Sequence, residues 1–249
     1  DHSLNKRNMK KLIDLTAKFG ATFLPKNKDK FPLTMISSEM PIGIEYKAGV
    51  SAQLKSAAIL AGLNSYGDTI IKEKVSSRDH TENLLMNNTQ VIKIKKGLNK
   101  IIRVHGKRRL RPIHINISGD PSSAAFFTTL TLLNKNSSII IRNVGLNPTR
   151  IGFYRILKKQ KAKIRFINIK KENNEIRGDI IVKSCSLKSI KTSAKDYPST
   201  TDEYLLLFCI AAFTKGTSIF KGISDLANKE SSRAHEMKII LNQIGIKCN

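Results

Sequence analysis

The sequence predicts an α+β fold assembled from repeated helix–strand units, and three observations predict it. Four arginines, Arg7, Arg78, Arg150 and Arg233, stand just ahead of helix-like runs at spacings of 71, 72 and 83 residues. Ahead of the last three lie an apolar helix and a short strand. The chain has 249 residues, 40% of them hydrophobic, enough for one large core or two modest ones. Units of this kind each offer one cation at the same kind of place. The expectation is an anionic small molecule bound between them.

Each element has a local reason. Met9, Leu12, Ile13, Leu15 and Phe19 give an apolar helix face, ended by Gly20-Ala21 before a strand that reaches Leu24. Pro32 and Pro41 punctuate short extended stretches. Residues 50–63 read as a long helix with Leu54, Ala57, Ala58 and Ala61 on one side, followed by the turn Gly67-Asp68 and a strand over 69–71. A helix at 79–86, a strand at 90–93 and a polar, basic stretch at 105–110 come next. Residues 112–117 alternate as an extended crossing segment, which sets domains at 1–117 and 118–249. The pattern then restarts: helix 122–133, strand 138–142, helix 150–159 and strand 163–169. Asn173-Asn174 and Arg177-Gly178 read as turns around a strand at 179–183. Pro198 opens a third round with helix 202–213, strand 217–220 and helix 232–241, terminated at Gly245.

The net charge of +25 invites nucleic acid as a partner. The excess is mostly lysine scattered through loops and helix faces. Aromatics are 6% and tryptophan is absent, so stacking platforms for bases are poorly supplied. Composition therefore argues against nucleic acid as the main partner. Cys185, Cys209 and Cys248 show neither metal-ligand spacing nor a disulfide pattern, which fits a reducing compartment. No apolar run is long enough to span a membrane. The expectation is a cytoplasmic protein. The chain starts with Asp and stops after an apparent strand, as an internal piece of a larger protein would.

Several polar groups stand where chemistry is possible. Ser51, Gln53, Ser122 and Ser123 lie at helix starts, where unpaired N–H groups and the dipole favour anions; each also suits an N-cap. Arg78 offers a fork suited to phosphate or carboxylate, or to an internal pair with Asp79 or Glu82. Lys229, Glu230 and Arg233 form the densest polar cluster ahead of a helix, and Asp202-Glu203 stands one helix earlier. Asp202 and Glu230 supply two acids, and Lys229 and Arg233 two cations, the set that acid–base chemistry on an anionic substrate needs. A surface ion-pair group is the alternative for the same residues. No P-loop, dinucleotide fingerprint, zinc motif or serine-hydrolase elbow is present.

Read in order, these segments resemble the EPSP synthase family, the 3-phosphoshikimate 1-carboxyvinyltransferases. The matching stretches are Asp1-His2-Ser3-Leu4 through Met9, Ser51-Ala52-Gln53-Leu54-Lys55-Ser56-Ala57, and Ser77-Arg78-Asp79-His80-Thr81-Glu82. Gly119-Asp120-Pro121-Ser122-Ser123, Asn147-Pro148-Thr149-Arg150, Asp202-Glu203-Tyr204 and Lys229-Glu230-Ser231 through Arg233 continue the match. The resemblance implies an inverse α/β barrel made of βαβαββ units, here incomplete, with substrates in the cleft between two domains. It implies transfer of an enolpyruvyl group from phosphoenolpyruvate to the 5-hydroxyl of shikimate 3-phosphate, by a monomer, with no cofactor and no metal. Ser51, Ala52, Gln53 and Arg78 match positions that hold shikimate 3-phosphate. Arg7 and Arg233 match arginines that hold phosphoenolpyruvate, and Lys229 a substrate-binding lysine. Asp202 matches the acid near the 5-hydroxyl, and Glu230 the acid that serves the methylene carbon.

The chain departs from the family pattern at several places. Asn8 and Leu205 replace prolines, Ser232 replaces an acid, and Ala227-Asn228 stand where an arginine-led pair is expected. Gln160-Lys161 stands where the repeat carries Met-Gly, so a left-handed residue at Lys161 would lack glycine's freedom. An inactive remnant of the enzyme, a UDP-N-acetylglucosamine enolpyruvyl transferase and a charge-driven nucleic-acid binder are the alternatives.

Overall fold

A βαβαββ arrangement recurs along the chain in the computed structural model, which describes residues 5–228 and 232–248. Two compact units divide it, Asp1–His114 and Ile115–Asn249. The first includes α1 (Lys10–Ala17) and the antiparallel pair β1 (Thr22–Leu24) and β2 (Thr34–Ile36). A full set follows: β3 (Glu45–Ala48), α2 (Ala52–Asn64), β4 (Asp68–Glu73), α3 (His80–Leu85), β5 (Ile92–Lys95) and β6 (Lys100–His105). Its sheet has the order β3-β4-β6-β5. Strands β3 and β4 run parallel because α2 supplies the crossover, whereas β6 pairs antiparallel with β4 on one side and with its hairpin partner β5 on the other.

The second unit repeats that topology. Gly119 makes a single parallel bridge to Val144, standing where β3 stands in the first unit. Then come α4 (Pro121–Leu133), β7 (Ser138–Gly145), α5 (Gly152–Lys159), β8 (Lys163–Glu172) and β9 (Glu175–Lys183), in sheet order β7-β9-β8. A third round has β10 (Lys191–Thr192), a 3₁₀ turn at Ala194–Ser199, α6 (Tyr204–Ala212) and β11 (Ile219–Phe220), parallel to β10. A second 3₁₀ turn at Ser224–Asn228 leads to α7 (Arg233–Gln243). The first core gathers Leu15, Phe19, Ile59, Ile71, Ile102 and Val104, and the second Phe153, Tyr154, Leu157, Ile180, Leu207 and Ile210.

Two readings are corrected. The sequence reading leaves Lys100–His105 without a strand, yet β6 lies inside the sheet between β4 and β5. Ile102 and Val104 are buried, while the alternate residues Arg103 and His105 reach Asp68 at 3.2 and 2.7 Å. Polar side chains on the outer face thus mask an inward apolar pair. Arg177-Gly178 lies within β9, where β7 and β8 both bulge. Asn143 (φ 52) and Asn168 (φ 51) form those bulges, and Asp179 accepts hydrogen bonds from both, at 2.9 and 2.8 Å.

The helix ends also differ in a telling way. After α5, Ala162 N–H donates to Leu157 O at 3.0 Å and Lys161 N–H to Lys158 O at 3.0 Å, a Schellman pair with Lys161 at φ +64. After α1 and α7 the same bonds form around Gly20 (φ +94) and Gly245 (φ +83). A lysine in the left-handed region has its Cβ crowded against the backbone. Lys161→Gly is therefore expected to stabilise the chain by about 0.5–1 kcal/mol, read as a rise in the thermal midpoint by circular dichroism. An unchanged or lower midpoint would sink this reading.

Candidate functional site

In the first unit Ser51, Ala52 and Gln53 stand at the start of α2 and Arg78 just ahead of α3, two helices tied by Ser56 Oγ and Thr81 Oγ1 at 2.7 Å. Ser51 is the N-cap of α2: its Oγ accepts from Leu54 N–H at 3.4 Å, which satisfies one orphan donor of the helix start. Ala52 is half-buried beside it and Gln53 is exposed. The buried stripe of α2 is Lys55, Ala58, Ile59 and Gly62, rotated from the predicted face, with Leu54, Ala57 and Ala61 only partly covered. Arg78 is half-buried in the turn from β4 to α3. Its neighbour Ser77 is buried and donates to Glu73 Oε1 from N–H at 2.8 Å and from Oγ at 2.7 Å.

Glu82, one predicted internal partner of Arg78, has its Oε1 within 2.8 Å of Lys55 Nζ and 3.0 Å of Lys100 Nζ. Burial alone would raise the Glu73 carboxyl. Hydrogen bonds from Lys55 and Ser77 outweigh it and hold the group below the ordinary carboxylate range. Lys100 is likewise desolvated, and Glu82 and Glu73 hold its ammonium above the ordinary range.

Arg7 is half-buried, just ahead of α1. Asn8, in place of proline, accepts from Lys10 N–H at 2.8 Å and donates to Asp29 Oδ2, so its amide orders the start of that helix.

In the second unit Asp202 precedes α6, with its carboxylate 3.6 Å from Arg150 Nη1 and 3.4 Å from Arg233 Nη1. The two sequence-predicted residues Asp202 and Arg233 are thus brought together. Lys229 and Glu230 lie outside the described residues. Arg150 also reaches Asp120 Oδ1 at 2.7 Å and Ser122 Oγ at 2.8 Å. The true cap of α4 is Asp120, which accepts from Ser122 and Ser123 N–H, so neither serine caps as expected. Burial would raise the Asp120 carboxyl, but those two amides, the Ser123 hydroxyl and Arg150 hold it below the ordinary range. Ser122 Oγ donates to buried Glu203. One arginine thus joins the helix start of its own repeat to that of the next.

Sequence reasoning missed Lys55, Glu73, Lys100, Asp120 and Glu203 as part of the candidate site, and left Arg150 a repeat marker. One signal was available. Lys55 sits three and four residues before Ala58 and Ile59, on the buried stripe, where an unpaired lysine is rarely tolerated. No cluster of metal-ligating side chains occurs among the described residues, and no helix there is long and apolar enough to cross a membrane.

The repeated βαβαββ sheets are the fold of the enolpyruvyl transferases. The enolpyruvyl transferase NikO from Streptomyces tendae shares it at a TM-score of 0.66 and 14% identity, over 86% of this chain and 51% of that one. The chain belongs to the EPSP synthase (3-phosphoshikimate 1-carboxyvinyltransferase) family, whose model matches residues 1–249. A 3-phosphoshikimate 1-carboxyvinyltransferase from Zymomonas mobilis subsp. mobilis is 38% identical over 248 residues, 99% of this chain and 55% of that relative. The structure of EPSP synthase from Acinetobacter baumannii matches at a TM-score of 0.83 and 33% identity, over 100% of this chain and 56% of that one. The chain spans about half the length of the relatives it matches.

Proposed function

We propose that this chain carries part of an enolpyruvyl-transfer site that takes shikimate 3-phosphate and phosphoenolpyruvate. The carrying observation is the Asp202 carboxylate set between Arg150 and Arg233, at 3.6 and 3.4 Å. Two guanidiniums favour the ionised acid, as a general base requires, and Arg233 also suits an anionic co-substrate.

In this reading the first domain, 1–117, binds shikimate 3-phosphate. Ser51 and Arg78 address its phosphate, Ala52 helps to hold it, and Gln53 lies near its ring or the enolpyruvyl side. Arg7 and Arg233 hold phosphoenolpyruvate with Lys229. Asp202, on the second domain at 118–249, takes the proton of the 5-hydroxyl as its oxygen attacks C2 of phosphoenolpyruvate. Glu230 delivers a proton to C3, giving a tetrahedral intermediate. Loss of a proton from the new methyl group and departure of phosphate restore the double bond. The reaction is carried by a cytoplasmic monomer in this reading, and it draws on proton transfer and cationic stabilisation alone.

Calorimetric titration with shikimate 3-phosphate at two salt concentrations tests it. One-to-one binding is expected, weakened between about 10- and 100-fold by Arg78→Ala, the worth of charge-assisted hydrogen bonds. A folded chain that binds none would instead support the inactive remnant. Binding that falls steeply with salt and ignores Arg78 would point to charge alone.

A further inference from the structure

Four charged side chains are sealed within the first unit. Lys55 on α2, Glu73 at the end of β4 and Glu82 on α3 have no exposed side-chain surface, and Lys100 on β6 has 14%. Lys55 Nζ lies 2.8 Å from Glu73 Oε1 and 2.8 Å from Glu82 Oε1. Lys100 Nζ lies 3.0 Å from Glu82 Oε1 and 3.6 Å from Glu73 Oε2. Glu73 Oε2 and Glu82 Oε2 are buried with no hydrogen-bond partner. Such a set is an inefficient way to stabilise a core. Desolvation offsets most of the Coulomb gain, and apolar side chains of similar volume would serve stability as well or better.

What the set does supply is position. Lys55 lies one turn into α2, just after Ser51-Ala52-Gln53. Glu73 holds both the N–H and the hydroxyl of Ser77, the residue before Arg78. Glu82 lies on the helix that follows Arg78, and Ser56 Oγ to Thr81 Oγ1 at 2.7 Å adds a second tie between the same two helices. The start of α2 and the turn that bears Arg78 are thereby fastened to one charged centre.

We propose that Lys55, Glu73, Glu82 and Lys100 are positioning residues that fix the α2 start relative to Arg78. An anion then meets donors already in place, and little ordering remains to be done on binding. The choice of shikimate 3-phosphate as ligand rests on the reading above; the positioning itself does not.

The test uses the charge-balanced variant Lys55→Met/Glu82→Gln, which leaves Glu73 paired with Lys100. Ser77→Ala, which removes one hydroxyl donor, serves as the milder second variant should the first not fold. The Nε–Hε resonance of Arg78 is followed by NMR without ligand, and shikimate 3-phosphate affinity is measured by calorimetry. The expected result is a displaced or broadened Arg78 resonance and binding weakened between about 10- and 100-fold, as misplacement by about an ångström produces. For Ser77→Ala the change is smaller and in the same direction. In an Arg78→Ala background the same substitutions should change affinity by less than about twofold, because the pathway through Arg78 is already lost. A folded variant with an unmoved Arg78 resonance overturns the proposal, as does an affinity loss that persists in full without Arg78. If the unmodified chain binds no shikimate 3-phosphate, the functional reading fails, and the Arg78 resonance alone decides the positioning.

Discussion

Lys55→Met is expected to destabilise the first unit by about 3–5 kcal/mol, the cost of leaving a buried charge without its partner. Methionine matches the length of the lysine stem, so packing changes little and the loss is electrostatic. Two carboxylates and Lys100 would remain, with one negative charge uncompensated. A typical domain has about 5–15 kcal/mol in total, so much of the unit's stability would go. Amide hydrogen exchange reads this unit by unit. The Ile71 and Ile102 amides should lose protection, whereas those of Ile180 and Val182 should keep it. A change below about 1 kcal/mol would show that water or a rearranged Lys100 already compensates the acids. Restoring neutrality with Glu82→Gln should recover a large part of the loss.

The pH dependence follows from the same geometry. The folded carboxyl of Glu73 is held below its unfolded value, so its contribution is full above about pH 4.3, the ordinary glutamate value, and is lost as pH falls through the folded one. The folded ammonium of Lys100 is held above its unfolded value. Its contribution is full below about pH 10.4 and is lost as pH rises through the folded one. The first unit should be firmest between these limits.

Gly152→Ala is expected to destabilise the second unit by about 3 kcal/mol or more, from overpacking against the main chain. A Cβ there would stand 2.1 Å from Thr200 Oγ1, 2.3 Å from Ser199 Oγ and 2.6 Å from Ser199 O. The hydroxyls can rotate, but the carbonyl moves only with its chain. That chain runs directly into Asp202, so the substitution should also pull Asp202 off Arg150 and Arg233. Denaturant unfolding measures the first effect and the Arg233 side-chain resonance the second. An alanine variant of unchanged stability would mean that the 199–202 segment yields freely. Asp202 would then be far less firmly placed than its contacts suggest.

Much of this architecture was legible in the linear sequence because repeats leave periodic marks. The arginines announce the second helix of each round, and Gly20 and Gly245 announce helix ends. The central strand β6 was not legible, because Lys100, Arg103 and His105 give it the look of a basic loop. Their partners Glu82 and Asp68 lie 18 and 35 or more residues away. The buried charge set was hidden for a related reason. Among 44 lysines and arginines, Lys55 and Lys100 look like surface residues until the sheet closes on them. Ser122 misled differently: a serine at a helix start suggests a cap, but Asp120, two residues earlier, takes that place and frees the hydroxyl for Glu203 and Arg150.

Arg150 serves Asp120, Ser122 and Asp202 with a single guanidinium, and these acceptors lie on two successive repeats. An anion that drew Arg150 toward itself would loosen all three contacts together. Occupancy at one helix start and order at its neighbour therefore become linked equilibria, each shifting the other by the same free energy. The ion pairs that look like static braces also couple adjacent repeats.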